Sequence, residues 1–264
     1  MLPHKNVLVV YTIPRANEQK LSIDSVKNIL KEQGIDFTLA NRDELSTQQF
    51  LGRDLIIAVG GDGTFLRAAQ FIDKQLIFGL NADSNNKEGF FMGCTRKDFA
   101  EKLKKIINRK FRVRKLPRLE AYINKKRIGT LALNEFFIGP RKSYHASKYV
   151  IKVRKIKERH KSSGVIVSTP SGSYAWTKAC HGKKMPLNSK DFQFVIREPY
   201  EGKVFKNYKL KQSILKSNES ITIISEMLDG ILVADSVSKE FSLKEHDEVR
   251  IRKSNNFLKA IWLK

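Results

Sequence analysis

The sequence predicts an α/β unit with a parallel, Rossmann-like sheet, followed by an all-β unit. Three observations predict it. Continuous apolar runs alternate with helix-period segments over residues 1–110, the pattern of a parallel sheet with helices on its faces. One of these runs ends in glycines that flank an aspartate. Beyond residue 110 the helical period gives way to short strand-like runs separated by turn residues, as in an antiparallel unit.

Residues 6–11 (NVLVVY) form a run apolar on both faces, as expected of a strand covered on both sides. Residues 22–33 carry Ile23, Val26, Ile29 and Leu30 at helical spacing, and Gly34 supplies the stop. A second buried strand is expected over 54–59 (DLIIAV), then a helix over 64–72, a strand over 75–80 and a helix over 98–107. The strands expected after residue 110 cover 119–123, 128–138, 149–153, 165–168, 192–196 and 221–225, then 231–234, 249–251 and 258–263. Asn124, Lys125 and Lys126 read as a turn. The domains are expected at 1–110 and 111–264, with the last strand able to return to the first domain.

A chain of 264 residues with 41% hydrophobic and 29% charged residues reads as an ordinary globular protein. No apolar run approaches the ~18 residues of a membrane span. The basic start and short apolar run at 1–12 lack a small-residue cleavage site and read as a first strand, so a cytoplasmic protein is expected. Cys94 and Cys180 lie far apart, outside any metal-ligand spacing, so neither a disulfide framework nor a zinc site is expected. The net charge of +23 favours anionic partners. Its lysines and arginines are scattered, so no specific nucleic acid is expected.

Chemistry concentrates at residues 59–67 (VGGDGTFLR), where a buried strand enters Gly60 and Gly61, then Asp62, Gly63 and Thr64, then a helix. Glycines admit close approach of a phosphate to the backbone, and a helix N-terminus offers unpaired N–H groups to an anion. Asp62 can accept a proton from a sugar hydroxyl or help to hold Mg²⁺. No Gly-Lys-Ser/Thr follows, so this is not a Walker loop, and it does not spell GxGxxG.

GGDGT resembles the signature shared by NAD kinases, diacylglycerol and sphingosine kinases, and phosphofructokinases. Two later segments select the first of these. Residues 133–139 (LNEFFIG) resemble the Asn-Glu segment of NAD kinases, and residues 168–176 (STPSGSYAW) resemble their Thr-Pro-Thr-Gly-Ser-Thr-Ala-Tyr segment. Asn81-Ala82-Asp83 with Glu88-Gly89, Ser162-Ser163-Gly164 and Arg197-Glu198-Pro199 point to the mitochondrial-type branch.

The resemblance implies ATP- and divalent-cation-dependent (Mg²⁺ or another ion) phosphorylation of the adenosine-ribose 2′-hydroxyl of NAD, giving NADP. It also implies a homodimer or homotetramer, and an active site between the two domains. It makes Asp62 catalytic. It places Gly61, Gly63, Thr64, Arg67 and Phe90 at the nucleotides, with Asn134, Glu135 and His145. Lys161, Ser163, Thr169, Ser171, Ser173, Tyr174, Ala175, Trp176 and Ala179 complete that set. Lys161 stands where relatives have arginine, Ser163 where many have aspartate, and Tyr174 and Trp176 replace their Thr and Tyr. Asp235 is given no role. Two rivals remain: a lipid or other small-molecule kinase sharing the loop, and a non-catalytic nucleotide-binding regulator.

Overall fold

The computed structural model describes residues 6–237 and 239–263, and the basic start at 1–5 lies outside them. The chain divides into two compact units, Met1–Lys115 with Leu258–Lys264, and Leu116–Phe257.

In the first unit the elements run β1 (Val7–Tyr11), α1 (Asn17–Glu32), β2 (Phe37–Asn41), α2 (Thr47–Phe50), β3 (Leu55–Gly60), α3 (Asp62–Ala69), β4 (Leu76–Asn81), β5 (Cys94–Thr95), α4 (Phe99–Ile107) and β6 (Arg112–Leu116). The sheet order is β2-β1-β3-β4, followed by the last strand of the chain (Leu258–Trp262) and β6, with β5 also on β4. β1 pairs in parallel with β2 and β3, and β4 pairs in parallel with β3, β5 and the last strand. Parallel pairing requires both faces to be covered, and β3 is buried at all six positions. Val26 and Leu30 of α1, with Phe99, Leu103 and Ile106 of α4, pack into the core that includes Val7, Val9, Ile57 and Leu80. Gly34 ends α1 with φ +63, a left-handed stop that its missing Cβ allows. α1 begins at Asn17, ahead of the apolar stripe, because its first turns are polar.

The second unit contains β7 (Leu119–Ile123), β8 (Lys126–Ala132), β9 (Glu135–Pro140), β10 (Ser147–Val153), β11 (Ile156–Ser162), β12 (Gly164–Ser168), α5 (Trp176–Ala179), β13 (Phe192–Arg197), β14 (Gln212–Leu215), β15 (Ser220–Ser225), β16 (Gly230–Ala234), β17 (Phe241–Leu243) and β18 (Glu248–Lys253). Two six-stranded sheets form, in the orders β11-β10-β15-β18-β7-β8 and β14-β13-β12-β9-β16-β17. Pairing is antiparallel, for example β10 with β11 and β12 with β9. One core joins both sheets: Tyr149, Ile151, Ile221 and Val249 from the first, and Phe136, Val165, Phe194 and Leu232 from the second. This is a sandwich. The expected turn between β7 and β8 holds Asn124 at φ 49 and Lys125 at φ 68, the mirror-image turn that suits the twist of a hairpin.

Three strands of this unit carry no clear sequence signal. β11 (IKERHKS) is polar at nearly every position, while β14 and β17 are four and three residues long. The run over 128–138 is two strands, because residues 133–134 leave the ladder between β8 and β9.

Candidate active site

Each unit carries a polar surface of its own. On the α/β unit, β3 delivers the chain into Gly61, and α3 begins at Asp62, two residues earlier than its apolar pattern suggests. Asp62 is the first helical residue, where a carboxylate suits the positive end of the helix dipole. Its two oxygens accept from the backbone N–H groups of Phe90 (3.0 Å) and Phe91 (2.9 Å). A carboxylate offers about four acceptor positions, so those bonds orient it and leave capacity for a substrate hydroxyl.

The loop after β4 holds those two N–H groups in place. Asn81 donates to Lys87 O (2.9 Å) and accepts from Asp83 N (3.1 Å), while Asp83 accepts from the Asn86 side chain (2.9 Å). Gly89 turns the chain at φ +70, and a Cβ there would lie 2.5 Å from Asn81 Nδ2. Phe91 is buried and stacks on Phe65 (4.9 Å, 3°). Phe90 stands edge-on to Phe91 and is 37% exposed, so the first phenylalanine faces outward and the second anchors the loop.

Two cations flank the glycine loop that the sequence had not singled out. Arg42 Nη1 lies 3.4 Å from the position of a Cβ on Gly63, and Lys87 Cδ lies 2.9 Å from that of Gly61. No local signal marks them, since both come from other loops of the same unit. Arg67 bonds Arg42 O (3.4 Å) and lies 6.0 Å from the Phe71 ring. Thr64 is fully buried beneath Gly60.

On the all-β unit the site lies on the face of β9, β12 and β13 that points away from the sandwich core. Glu135 pairs with Ser168, and Gly164 pairs with Arg197 at the other end of these strands. Phe137 lies between them and meets Trp176 at 5.1 Å. Asn134 Oδ1, Glu135 Oε2, Ser168 Oγ, Ser171 Oγ and Thr177 Oγ1 are buried with no hydrogen-bond partner. A buried polar atom left unpaired costs about 1–3 kcal/mol, so such a group of atoms calls for partners, water or a polar ligand, that the chain itself does not supply. Gly172 brings the 168–176 segment onto this face: a Cβ there would lie 2.1 Å from Asn134 O.

Asp235 explains the break in the strand ladder. Its buried carboxylate accepts from the N–H groups of Leu133 (2.9 Å), Asn134 (2.6 Å) and Glu135 (3.2 Å). It sits at φ 55, directly after β16. Burial pushes its pKa up to about 6 against those three bonds and Arg118. Burial, with Asp235 beside it, pushes Glu135 up to about 8.

A carboxyl whose pKa is raised by folding binds more protons folded than unfolded, so stability falls as pH rises between the two values. For Glu135 the window runs from the ordinary 4.5 to about 8. Glu135→Gln is therefore expected to raise the thermal midpoint of the ligand-free protein at pH 8 and leave it nearly unchanged at pH 4.5. Equal shifts at both pH values would contradict this.

The remaining positions fall into two groups. Thr169 Oγ1 donates to Leu133 O (2.6 Å) and accepts from Gly172 N, while Ser173 Oγ donates to Pro170 O (2.6 Å) and accepts from Met185 N. These hydroxyls shape the segment. Tyr174 and Ala175 are exposed, as is Ala179 at the end of α5. Lys161 Nζ lies 4.3 Å from the Tyr200 ring, and the Ser163 hydroxyl donates to Glu198. His145 is exposed in the turn between β9 and β10, edge-on to Tyr144 (4.7 Å), at the end of β9 opposite Glu135.

A parallel α/β unit with a strand–GGDGT–helix loop, carried with an all-β unit that bears the Asn-Glu row, resembles the phosphotransferases that share the glycine–aspartate loop. Comparisons with known proteins narrow the class. Residues 10–111 match the ATP-NAD kinase N-terminal domain family. The chain is 25% identical over 273 residues to a probable NADH kinase of Oryza sativa subsp. japonica, covering 95% of this chain and 83% of that protein. It is 29% identical over 265 residues to an NAD kinase of Treponema denticola, covering 97% and 90%. An NAD kinase from Archaeoglobus fulgidus, solved in complex with ATP, shares the fold at TM-score 0.78 and 24% identity, covering 98% of this chain and 93% of that one. Together these likenesses support the NAD kinase family for this chain.

Proposed function

We propose that this protein transfers the γ-phosphoryl group of ATP to the adenosine-ribose 2′-hydroxyl of NAD. The observation that carries this reading is the Asp62 carboxylate, held at the head of α3 by two backbone N–H groups with acceptor capacity to spare. That arrangement suits a general base: it accepts the hydroxyl proton as the oxygen attacks phosphorus, a contribution of about 10²- to 10⁴-fold. Asn134 and Glu135 offer a donor and acceptors to the base and ribose hydroxyls of the acceptor nucleotide. Trp176 and Phe137 offer flat apolar faces to a ring.

Arg42 and Lys87 place positive charge at the glycine loop, where triphosphate oxygens need it. Arg42→Ala is expected to raise the KM for ATP about tenfold, one charge-assisted hydrogen bond, and to leave the KM for NAD within twofold. An equal rise in both would remove Arg42 from the triphosphate.

Among the described residues no group of three or more His, Cys, Asp or Glu could hold an ion. A divalent cation bound with the nucleotide would find Asp62 as the loop's carboxylate, and Mg²⁺ commonly binds with few protein ligands. Such an ion supplies charge neutralisation on the triphosphate.

The rivals fit less well. A lipid kinase has no use for the buried polar row at Asn134, Glu135 and Ser168. A regulator without catalysis has no use for the held Asp62. No helix among the described residues is long and apolar enough to cross a membrane. A homodimer or homotetramer, as the family resemblance implies, completes the proposal and is open to light scattering, and cell fractionation tests the cytoplasmic expectation. The test of the activity is direct: incubate the protein with NAD, ATP and Mg²⁺, and assay NADP with an NADP-specific dehydrogenase. No NADP above the protein-free control would overturn the reading.

A further inference from the structure

At the end of the polar face opposite Glu135, Glu198 follows β13 directly. Its backbone stands at φ 44, immediately before Pro199. A non-glycine residue in this left-handed region is strained and persists only where its surroundings fix it. Here they do. The Ser163 hydroxyl donates to Glu198 Oε2, and Arg197 Nη2 lies 3.6 Å from Oε1. The Ser163 N–H donates to Arg197 O (3.0 Å), and the Tyr200 N–H donates to Lys161 O (2.9 Å), so the backbones on both sides of Glu198 are tied to the 161–163 segment. The side chain is nonetheless 71% exposed. A strained, doubly held carboxylate therefore presents its remaining lone pairs outward.

Its neighbour Arg197 lies against flat apolar rings. The Arg197 guanidinium lies 5.0 Å from the Trp176 ring and 5.8 Å from the Phe137 ring. From Gly164, beside Arg197, to Ser168, beside Glu135, four residue steps along β12 span about 13 Å, a separation that one dinucleotide can bridge. A carboxylate is an acceptor only. Beside the guanidinium that lies against those rings, such an acceptor suits an NH₂ group on the rim of a stacked heteroaromatic ring.

Resting on the NAD kinase reading above, we propose that Glu198 is a specificity-determining residue that accepts a hydrogen bond from an exocyclic NH₂ of the dinucleotide. NAD carries two such groups, the carboxamide of the nicotinamide and the amine of the adenine. Oxygen in place of that NH₂ sets acceptor against acceptor.

Calorimetric titration measures this without requiring turnover. The ligands are NAD, nicotinic acid adenine dinucleotide, which has a carboxylate in place of the carboxamide, and nicotinamide hypoxanthine dinucleotide, which has an oxo group in place of the amine. The intact protein is expected to prefer NAD over one analogue by about 10- to 10²-fold, the range of a charge-assisted hydrogen bond. Glu198→Gln, whose side chain can also donate, should remove most of that preference, with ATP affinity and the thermal midpoint unchanged. The analogue whose discrimination collapses identifies the ring. Ser163→Ala, which releases Glu198 on one side, should reduce the same preference by less. In Glu198→Ala, adding Ser163→Asp should restore part of the preference by returning a carboxylate to this end. An unchanged preference against both analogues in Glu198→Gln would overturn the proposal while leaving the kinase reading intact. Binding with these preferences but no NADP formation would condemn the kinase reading alone. Failure to bind any of the three dinucleotides would overturn both.

Discussion

Asp62→Asn is expected to lower kcat by at least ~10²-fold while NAD still binds within about tenfold of the original affinity. The substitution keeps the size of the side chain and removes the charge that draws a hydroxyl proton. It has a second consequence that the structure makes visible. Phe90 N–H and Phe91 N–H each donate to one oxygen of Asp62, so an amide NH₂ would set donor against donor at one of them. The loop around residues 89–92 should loosen, and the thermal midpoint should fall modestly. Binding is followed by calorimetry and turnover by NADP formation, on one preparation. A near-normal kcat would take Asp62 out of the chemistry, whatever happened to the loop.

The largest effect on stability is expected at Asp235, far in sequence from the three motifs. Asp235→Ala removes the acceptor shared by Leu133, Asn134 and Glu135 N–H. Each buried N–H left without a partner costs about 1–3 kcal/mol. Relief from burying the carboxylate, seen in its raised pKa, offsets part of the total. A net loss of about 3 kcal/mol is expected, read as a lowered urea midpoint at pH 7. The released 133–135 segment should also lower NAD affinity by more than tenfold. A variant with unchanged midpoint and affinity would show that the strand break forms without Asp235.

Much of the fold was legible because it depends on local rules. Runs such as VLVVY and LIIAVG are apolar on both faces, and only a sheet covered on both sides accepts them. Gly34 and the Asn124-Lys125 turn announce the left-handed backbone they adopt. β11 was not legible, because its residues are chosen by an edge position rather than by burial. Only His160 and Ser162 are buried in it, and His160 lies between the rings of Tyr149 and Tyr208.

The sequence by itself determined the two unit types, the strand–loop–helix around Asp62 and the order of the three motifs, since each is written in contiguous residues. Only the tertiary structure decided how the chemistry is held. Phe90 and Phe91 orient Asp62 from 28 and 29 residues away. Asp235 fixes the Asn134-Glu135 row from about 100 residues away. Arg42 and Lys87 approach Gly63 and Gly61 from elsewhere in the unit, and Glu198 meets Ser163 across 35 residues. Hydrogen bonds and charge act through space over a few ångströms. A partner brought in by a distant loop leaves no period, spacing or composition in the sequence around the residue it serves.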